Sequence, residues 1–566
     1  MRFSLAAALF FCYVLPAPAV WEIAGPYGGT ATSLAIDPRQ PRVLLAGARG
    51  PNVFKSEDGG RHWRPLNLPV RFGGAVTALV IDPLDSRHYL AGTHDTGSPF
   101  AGLYESRDAG VTWHDIPDLR GVPIWALAVH PNQQRRMAAA TRRGVWLSDD
   151  SGATWRRITH ADHVELSSVT AVAFDPRRTE TLYAGTTHLP WKTTDGGRTW
   201  NSIHTGLIDD SDVFSIFIHP ERPDLVFASA CCGIYRSADA GANWKKFAGI
   251  PGTLRRTHVI LQDPAEAKVL YAGTTLGLLR STDAGATWKQ LNNYSTNAIV
   301  IDPSDTRRLY FATDSYGVLL SEDRGETLEP RIYGFAQSRV TDLTQAGDRI
   351  YVAAQLDPGR GGIYESSTPG AAWKLAADST ATLGVSVQSL AGHPARKGLL
   401  YAAGASTMLK SVDGGKTWIS LAIPARNAPQ IHDLHLLMMP KDHAVVLAAT
   451  SAGLWRSVDG GVTWAESALG RYRGVGVYAI VGTSSGRVLA ARSPAGIFIS
   501  ADYGIHWLAL DAPFDSTRIF DVALTEDPGD PIFCATSAGL YRFYSGQWTP
   551  VAGPLVGATV SAVRSR

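Results

Sequence analysis

The chain has 566 residues, of which 45% are hydrophobic and 18% charged, a composition that folds around substantial cores and excludes a disordered chain or a small disulfide scaffold. Fifty-three Lys and Arg against 51 Asp and Glu leave a formal charge of +2, so no field over the whole protein draws it to nucleic acid, and no nucleic-acid partner is expected.

Met1 to Ala19 carries one early charge, Arg2, an apolar run from Leu5 to Leu15, and Ala17-Pro18-Ala19 in the small-x-small form cut by signal peptidases. The spacing predicts a signal peptide over 1–19 and a secreted or periplasmic protein. The apolar run is too short to span a bilayer, which asks for about 20 residues, so no stable membrane insertion follows cleavage. Cys231, Cys232 and Cys534 remain beyond this segment; the adjacent pair replaces Thr or Ser of other repeats and reads as small buried residues. No metal-ligand spacing occurs, and neither metal nor cofactor is expected.

From there the chain repeats. Ser106-Arg-Asp108-Ala-Gly-Val-Thr-Trp113 returns as Ser281-Thr-Asp283-Ala-Gly-Ala-Thr-Trp288. The octet's Asp recurs at Asp58, Asp108, Asp150, Asp195, Asp239, Asp283, Asp323, Asp413, Asp459 and Asp502, and a decayed copy lies at Ser366 to Trp373. Before each octet stands a Gly-aliphatic-aromatic-basic run such as Gly233-Ile-Tyr-Arg236, and before that a hydrophobic stretch ending in Asp-Pro or His-Pro, as in Ile81-Asp82-Pro83. In the second unit this reads as four strands, Val76 to Ile81, His88 to Gly92, Gly102 to Ser106 and Thr112 to Ile116, with no helical period. Four strands in some 40 to 50 residues is the size of a β-propeller blade. The pattern predicts an all-β chain of about twelve four-stranded blades, the last ending at Trp548. Leftover pieces at Trp21 and Ala558 to Val563 suit ring closure through blades shared between chain ends.

The octets resemble the Asp-box, or bacterial neuraminidase repeat, of the sialidase, sortilin, tandem-propeller xyloglucanase and photosystem II assembly-factor propellers. Twelve units exceed one sialidase-like ring of six or seven, and the resemblance implies two propellers in tandem, 20–310 and 311–566, with the boundary between 290 and 335. A single ten-bladed ring like sortilin's is the alternative. The octet Asp reads as a folding device, accepting hydrogen bonds from turn amides and from Ser and Thr hydroxyls, with the Trp packed between blades. Ten carboxylates sharing one surrounding are not ten catalysts.

In such propellers the ligand face is built by the other loops. One column there varies while its neighbours do not, at the start of each innermost strand: Thr32, Thr77, Trp125, Thr170, Phe214, His258, Asn297, Thr341, Gln388, His432, Tyr478 and Phe520. Trp125 is the one Trp outside the repeat pattern. Trp125, Phe214, His258, His432, Tyr478 and Phe520 are therefore candidate ligand-binding residues, because rings beside hydrogen-bonding groups are what a sugar or peptide groove uses.

The Arg-Ile-Pro element of sialidases is missing. Tandem xyloglucanases carry an acid just before the Gly-aromatic strand, and the first unit has Arg49 there, whereas Asp95 and Asp314 stand in the corresponding loops of the second and seventh units. These two are the catalytic candidates. The leading expectation is an exported, non-catalytic propeller binding a glycan or protein on its loop face. The alternatives are a glycoside hydrolase of the xyloglucanase type and an assembly or scaffold factor.

Overall fold

The structure is a computed structural model. It describes residues 27–561 and 563, apart from 67, 71–72, 209–210, 232, 248–255, 315, 338, 358–359, 368–372, 379–382, 384–385, 426–427, 440–442, 471, 493–495, 511–516, 530 and 554–556. The leader, Trp21, Cys232 and the centre of the decayed octet lie outside the described residues.

The described chain forms twelve four-stranded antiparallel sheets, each a meander of consecutive strands, and one 3-10 turn at Pro117–Leu119. Alternating apolar residues and Gly-rich turns every eight to twelve residues leave this local pairing as the way to satisfy the backbone. The second strand of most blades, such as Leu182–Thr186, is buried along its whole length between neighbouring blades. The core is thus a series of clusters between blades. Leu45 and Val53 of the first blade meet Leu79, Tyr89 and Trp113 of the second in one of them.

Seven sheets (31–65, 75–115, 124–157, 169–202, 213–246, 257–290 and 296–330) follow one another around an axis, and the innermost strand of the seventh, Thr296–Ile301, packs against that of the first, Ala31–Ile36. The ring is closed further by Trp63 N–H donating to the carbonyl of Tyr333 (2.8 Å) and by bridges from Gly28 to Ala336 and Gly29 to Tyr316. A division at 310–311 would cut the seventh sheet through Leu309–Thr313, so residues 311–330 belong with the first ring. The remaining sheets (339–378, 389–421, 431–466, 477–510 and 519–550) pack in order as a second series.

No described blade mixes strands from the two chain ends; closure of the first ring comes from the faces of the first and seventh blades packing on one another rather than from a shared blade. The C-terminal segment instead continues the second series. Val563 N–H donates to the Asp521 carboxylate at 3.0 Å, as Leu390 N–H does to Asp342 (2.7 Å) and Ile480 N–H to Asp433 (2.9 Å). It lies where the innermost strand of a further blade would begin.

Each octet closes the third-to-fourth strand turn by one set of bonds. In the second blade, Ser106 Oγ donates to Asp108 Oδ1 (2.9 Å), Thr112 N–H donates to the same oxygen (2.9 Å), and Thr112 Oγ1 donates to Oδ2 (2.6 Å). All ten octet Asp accept in this manner, with His62, Asn243 and His506 replacing the Thr in three copies. The fifth residue must be glycine: Gly110 has φ +88°, and a Cβ there would meet Leu66 at 2.4 Å.

Bonds of this kind favour the ionised carboxylate. The Thr hydroxyl and then the Thr backbone N–H hold Asp108, Asp283, Asp413 and Asp459 at about 2, below the usual 3.8. Because the folded pKa is depressed, the stability they confer is complete above about pH 4 and is lost as pH falls toward 2. Thermal melts from pH 5 to pH 2 should show a steep fall in midpoint, softened in an Asp108→Asn, Asp283→Asn double variant. Parallel pH profiles for variant and wild type would contradict this account.

Candidate functional site

Eleven of the twelve residues in the variable column share a backbone feature. In each of those blades the pairing between first and second strands slips by one residue at the column position, for example between Thr257 and Val259 around His258, or between Ile431 and Asp433 around His432. Each column residue is therefore the extra residue of a β-bulge, a device that bends the strand and re-aims one side chain. The seven bulges of the first ring turn Thr32, Thr77, Trp125, Thr170, Phe214, His258 and Asn297 into a single cavity of about 640 Å³.

The column then divides by chemistry. Thr77 Oγ1 donates to the Ile124 carbonyl (2.6 Å), Thr170 Oγ1 to Val213, Thr32 Oγ1 to Val76 (2.6 Å) and Thr341 Oγ1 to Val387 (3.0 Å), while Asn297 Nδ2 donates to Ala31 (2.9 Å). These are stitches to the next blade. The aromatic members make no such stitch. Trp125 lies against His94, rings 3.9 Å apart and inclined by 36°, and both Trp125 Nε1 and His94 Nε2 are buried without a hydrogen-bond partner. Burial, followed by the charge of Arg142, pushes the His94 pKa down, so the imidazole is neutral there. Phe214 and His258 face one another at 6.3 Å, and burial lowers the pKa of His258 against the opposing pull of Asp314.

Charged side chains complete the wall: Arg49, Arg256, Asp212 and Asp314. Asp314 is held on both oxygens, accepting from Ser295 Oγ (2.8 Å) and Asn297 Nδ2 (2.9 Å). Asp95 is not among the lining residues; its carboxylate accepts from Gly73 N–H at 3.1 Å. The cavity thus holds Asp314 with Asp212 rather than with Asp95, and the second unit contributes His94 to it. Among the described residues, no group of His, Cys, Asp and Glu could hold a metal ion.

In the second series, His432 and Tyr478 stack at 4.4 Å and 24°, and the Arg518 guanidinium lies 5.2 Å from the Phe520 ring. His432 Nε2 is also buried without a partner, and its pKa is lowered by burial and then by Arg518. Cys534 is buried, and burial pushes its thiol up to about 12, which leaves it unreactive.

A family model described as sortilin, neurotensin receptor 3, matches residues 101–206. No curated protein matches the chain. Among solved structures, the chain is similar to the GH74 xyloglucanase of Xanthomonas campestris, with a TM-score of 0.70, 18% identity, and 94% of this chain covering 89% of that one. The GH74 enzyme of Niastella koreensis gives a TM-score of 0.71 at 16% identity, over 94% of this chain and 86% of the enzyme. PorZ, a bacterial surface component of the type-IX secretion system of Porphyromonas gingivalis, gives 0.60 at 11% identity, over 94% and 77%. At these identities the likeness is one of fold. Ten octets with one hydrogen-bond pattern, twelve meander blades and these neighbours identify the chain as an Asp-box β-propeller protein.

Proposed function

We infer that the protein is an exported binding propeller that takes a glycan or protein ligand into the mouth of its first ring without transforming it. The observation that carries this is the Trp125–His94 pair, two rings 3.9 Å apart at the wall of a cavity of about 640 Å³, whose Trp125 Nε1 and His94 Nε2 have no hydrogen-bond partner. An aromatic face with unpartnered ring nitrogens, in one cavity with the carboxylates of Asp314 and Asp212, suits a polyhydroxylated ring, which offers an apolar face for stacking and oxygens at its edge. The leader-like N-terminus and the surface location of PorZ support export.

The juxtaposition of Asp212 and Asp314 in one cavity, together with the GH74 neighbours, favours a second reading as a glycoside hydrolase, which needs two carboxyl groups flanking a bond. Against it, Arg49 occupies the cavity where the opening unit of such an enzyme places an acid. Titration calorimetry of the protein with xyloglucan oligosaccharides, other β-glucans and sialosides, beside a reducing-sugar assay, separates the two. Binding without turnover, weakened about tenfold or more in Trp125→Ala, is expected. Binding unchanged in that variant would remove Trp125 from the site. Turnover abolished by Asp212→Asn and Asp314→Asn would establish the hydrolase instead.

A further inference from the structure

In the first ring, the turn between the first and second strands of a blade is organised by one buried acceptor. Asp37 Oδ1 takes the backbone N–H groups of Arg39 (2.8 Å) and Gln40 (3.2 Å), Asp175 Oδ1 those of Arg177 (2.8 Å) and Arg178 (3.0 Å), and Asp263 Oδ1 those of Ala265 (2.9 Å) and Glu266 (3.2 Å). In the third and fifth blades a histidine stands in that place. His130 Nδ1 accepts from Asn132 N–H (3.1 Å) and Gln133 N–H (3.0 Å), and His219 Nδ1 from Glu221 N–H and Arg222 N–H (3.2 Å each). An imidazole takes donors on Nδ1 only while that nitrogen carries no proton, so both rings are neutral with their proton on Nε2. Protonation would set a third N–H against the two backbone donors, whereas the carboxylates of the other turns stay acceptors down to about pH 4.

Both rings are buried, and His130 lies against Phe174 of the fourth blade at 5.1 Å. The charged groups facing His130 are Arg136 of its own turn and Asp175 of the fourth blade; burial and then Arg136 lower its pKa against the pull of Asp175. His219 faces Arg222 and Glu221 of its own turn; burial and then Arg222 lower its pKa against Glu221. The two turns also hold neighbouring blades together. Asn132 Nδ2 donates to the Pro176 carbonyl (2.6 Å) and Gln133 Nε2 to Thr179 Oγ1 (3.1 Å), both across to the fourth blade, whose Arg177 guanidinium donates to the Glu221 carbonyl of the fifth. The fourth blade is thus gripped from both sides through residues that the imidazoles position. The strands entering the turns, Ile124–Val129 and Val213–Ile218, carry Trp125 and Phe214 near their other ends, which sets the turns ~17 Å along the strand from the cavity.

We propose that the His130 and His219 turns form an acid-sensitive seam across the third to fifth blades, closed at neutral pH and opened when the imidazoles are protonated, while the aspartate turns of the first ring keep their bonds. Because folding favours the neutral rings, the stability they confer is complete above the unfolded value of 6.5 and is lost as pH falls below it. Octet carboxylates such as Asp108 and Asp283, held at about 2, keep their charge through that range, so the seam yields to acid before the blade-closing turns do.

Pulsed hydrogen exchange of the full chain at pH 7.5 and pH 5, read by mass spectrometry and compared between proteins at one pH, tests this against a His130→Asp, His219→Asp variant, which restores the acceptor of the neighbouring blades. At pH 5 the peptides over 130–137 and 219–226 should exchange about tenfold or more faster in the wild type than in the variant, for the loss of two bonds in each turn. At pH 7.5 the two proteins should match, and the peptides over the Asp37 and Asp263 turns should not differ at either pH. Should the aspartate pair fail to fold, His130→Asn with His219→Asn offers an oxygen acceptor without charge and is expected to behave alike. Equal exchange of the two turns in wild type and variant at pH 5 overturns the proposal. So does an acid-induced loss shared by the aspartate turns, or one that persists in both variants, which would assign it to His94 and His258 of the cavity.

Discussion

Replacing Trp244 by Ala should cost about 3 to 5 kcal/mol of stability, the usual consequence of emptying a buried aromatic site in a core that cannot collapse around the gap. Trp244 is 3% exposed, packs with Tyr183, Val213 and Val226 between the fourth and fifth blades, and its Nε1 donates to the Ile203 carbonyl at 2.6 Å. The substitution therefore removes packing and strands a carbonyl together. Urea unfolding followed by tryptophan fluorescence and by circular dichroism checks it. The same change at Trp288, which ends an equivalent octet but is only half-buried, should cost distinctly less. Equal losses at the two positions would mean that the octet Trp acts through its turn rather than through burial between blades.

That contrast marks what a repeat discloses and what it hides. The octet, recurring with one hydrogen-bonding vocabulary of Ser, Asp, Gly and Thr, announces both the blade and its closing turn, because the same residues must make the same bonds each time. The number of blades was legible on the same grounds. Trp288 and Trp244 end octets that differ at only two positions, yet their burial depends on neighbours such as Ile203 and Phe247 contributed by the preceding blade. The variable column was also visible, as the place where copies disagree.

The reason for that disagreement was not visible. A bulge adds one residue to one strand, and in a stretch such as Val76-Thr77-Ala78 nothing in composition distinguishes the extra residue from its neighbours. Only the pairing shows that Thr77 turns toward the axis. The separation of stitching Thr residues from rings without such a bond follows from the same pairing. His94 is hidden for a related reason: the lengthened loop of the second unit offers Asp95 and His94 side by side in sequence, and only the strand direction sends the imidazole onto Trp125. Asp212 and Arg256 come from loops whose convergence depends on blade curvature, and no spacing in one chain reports that.

His88 carries the other large effect. In the second blade it sits almost wholly buried between two carboxylates, with Nδ1 2.8 Å from Asp82 and Nε2 2.8 Å from Glu105. Burial alone would push its pKa down, but the two carboxylates outweigh it and raise it to about 9, so the ring is a cation at neutral pH. The seventh blade uses a permanent cation in the same place: Arg308 lies 3.1 Å from Asp302 and 3.2 Å from Glu322. Both residues follow their blade's Asp-Pro by the same interval and donate to the same kind of pair. Replacing His88 by Leu should cost about 3 kcal/mol at pH 7, because Asp82 is left charged, buried and without its partner. The sign with pH is fixed by the raised pKa. Stability from His88 is complete below its unfolded value of 6.5 and is lost as pH rises through 9, so the difference between wild type and variant should shrink in urea titrations at pH 10. A His88→Arg chain supplies the control, since a guanidinium keeps its charge throughout. It should hold near wild-type stability at pH 7 and show none of the alkaline loss traced to this blade, whereas a His88→Leu penalty that stays constant from pH 7 to pH 10 would place His88 in the core as a neutral ring.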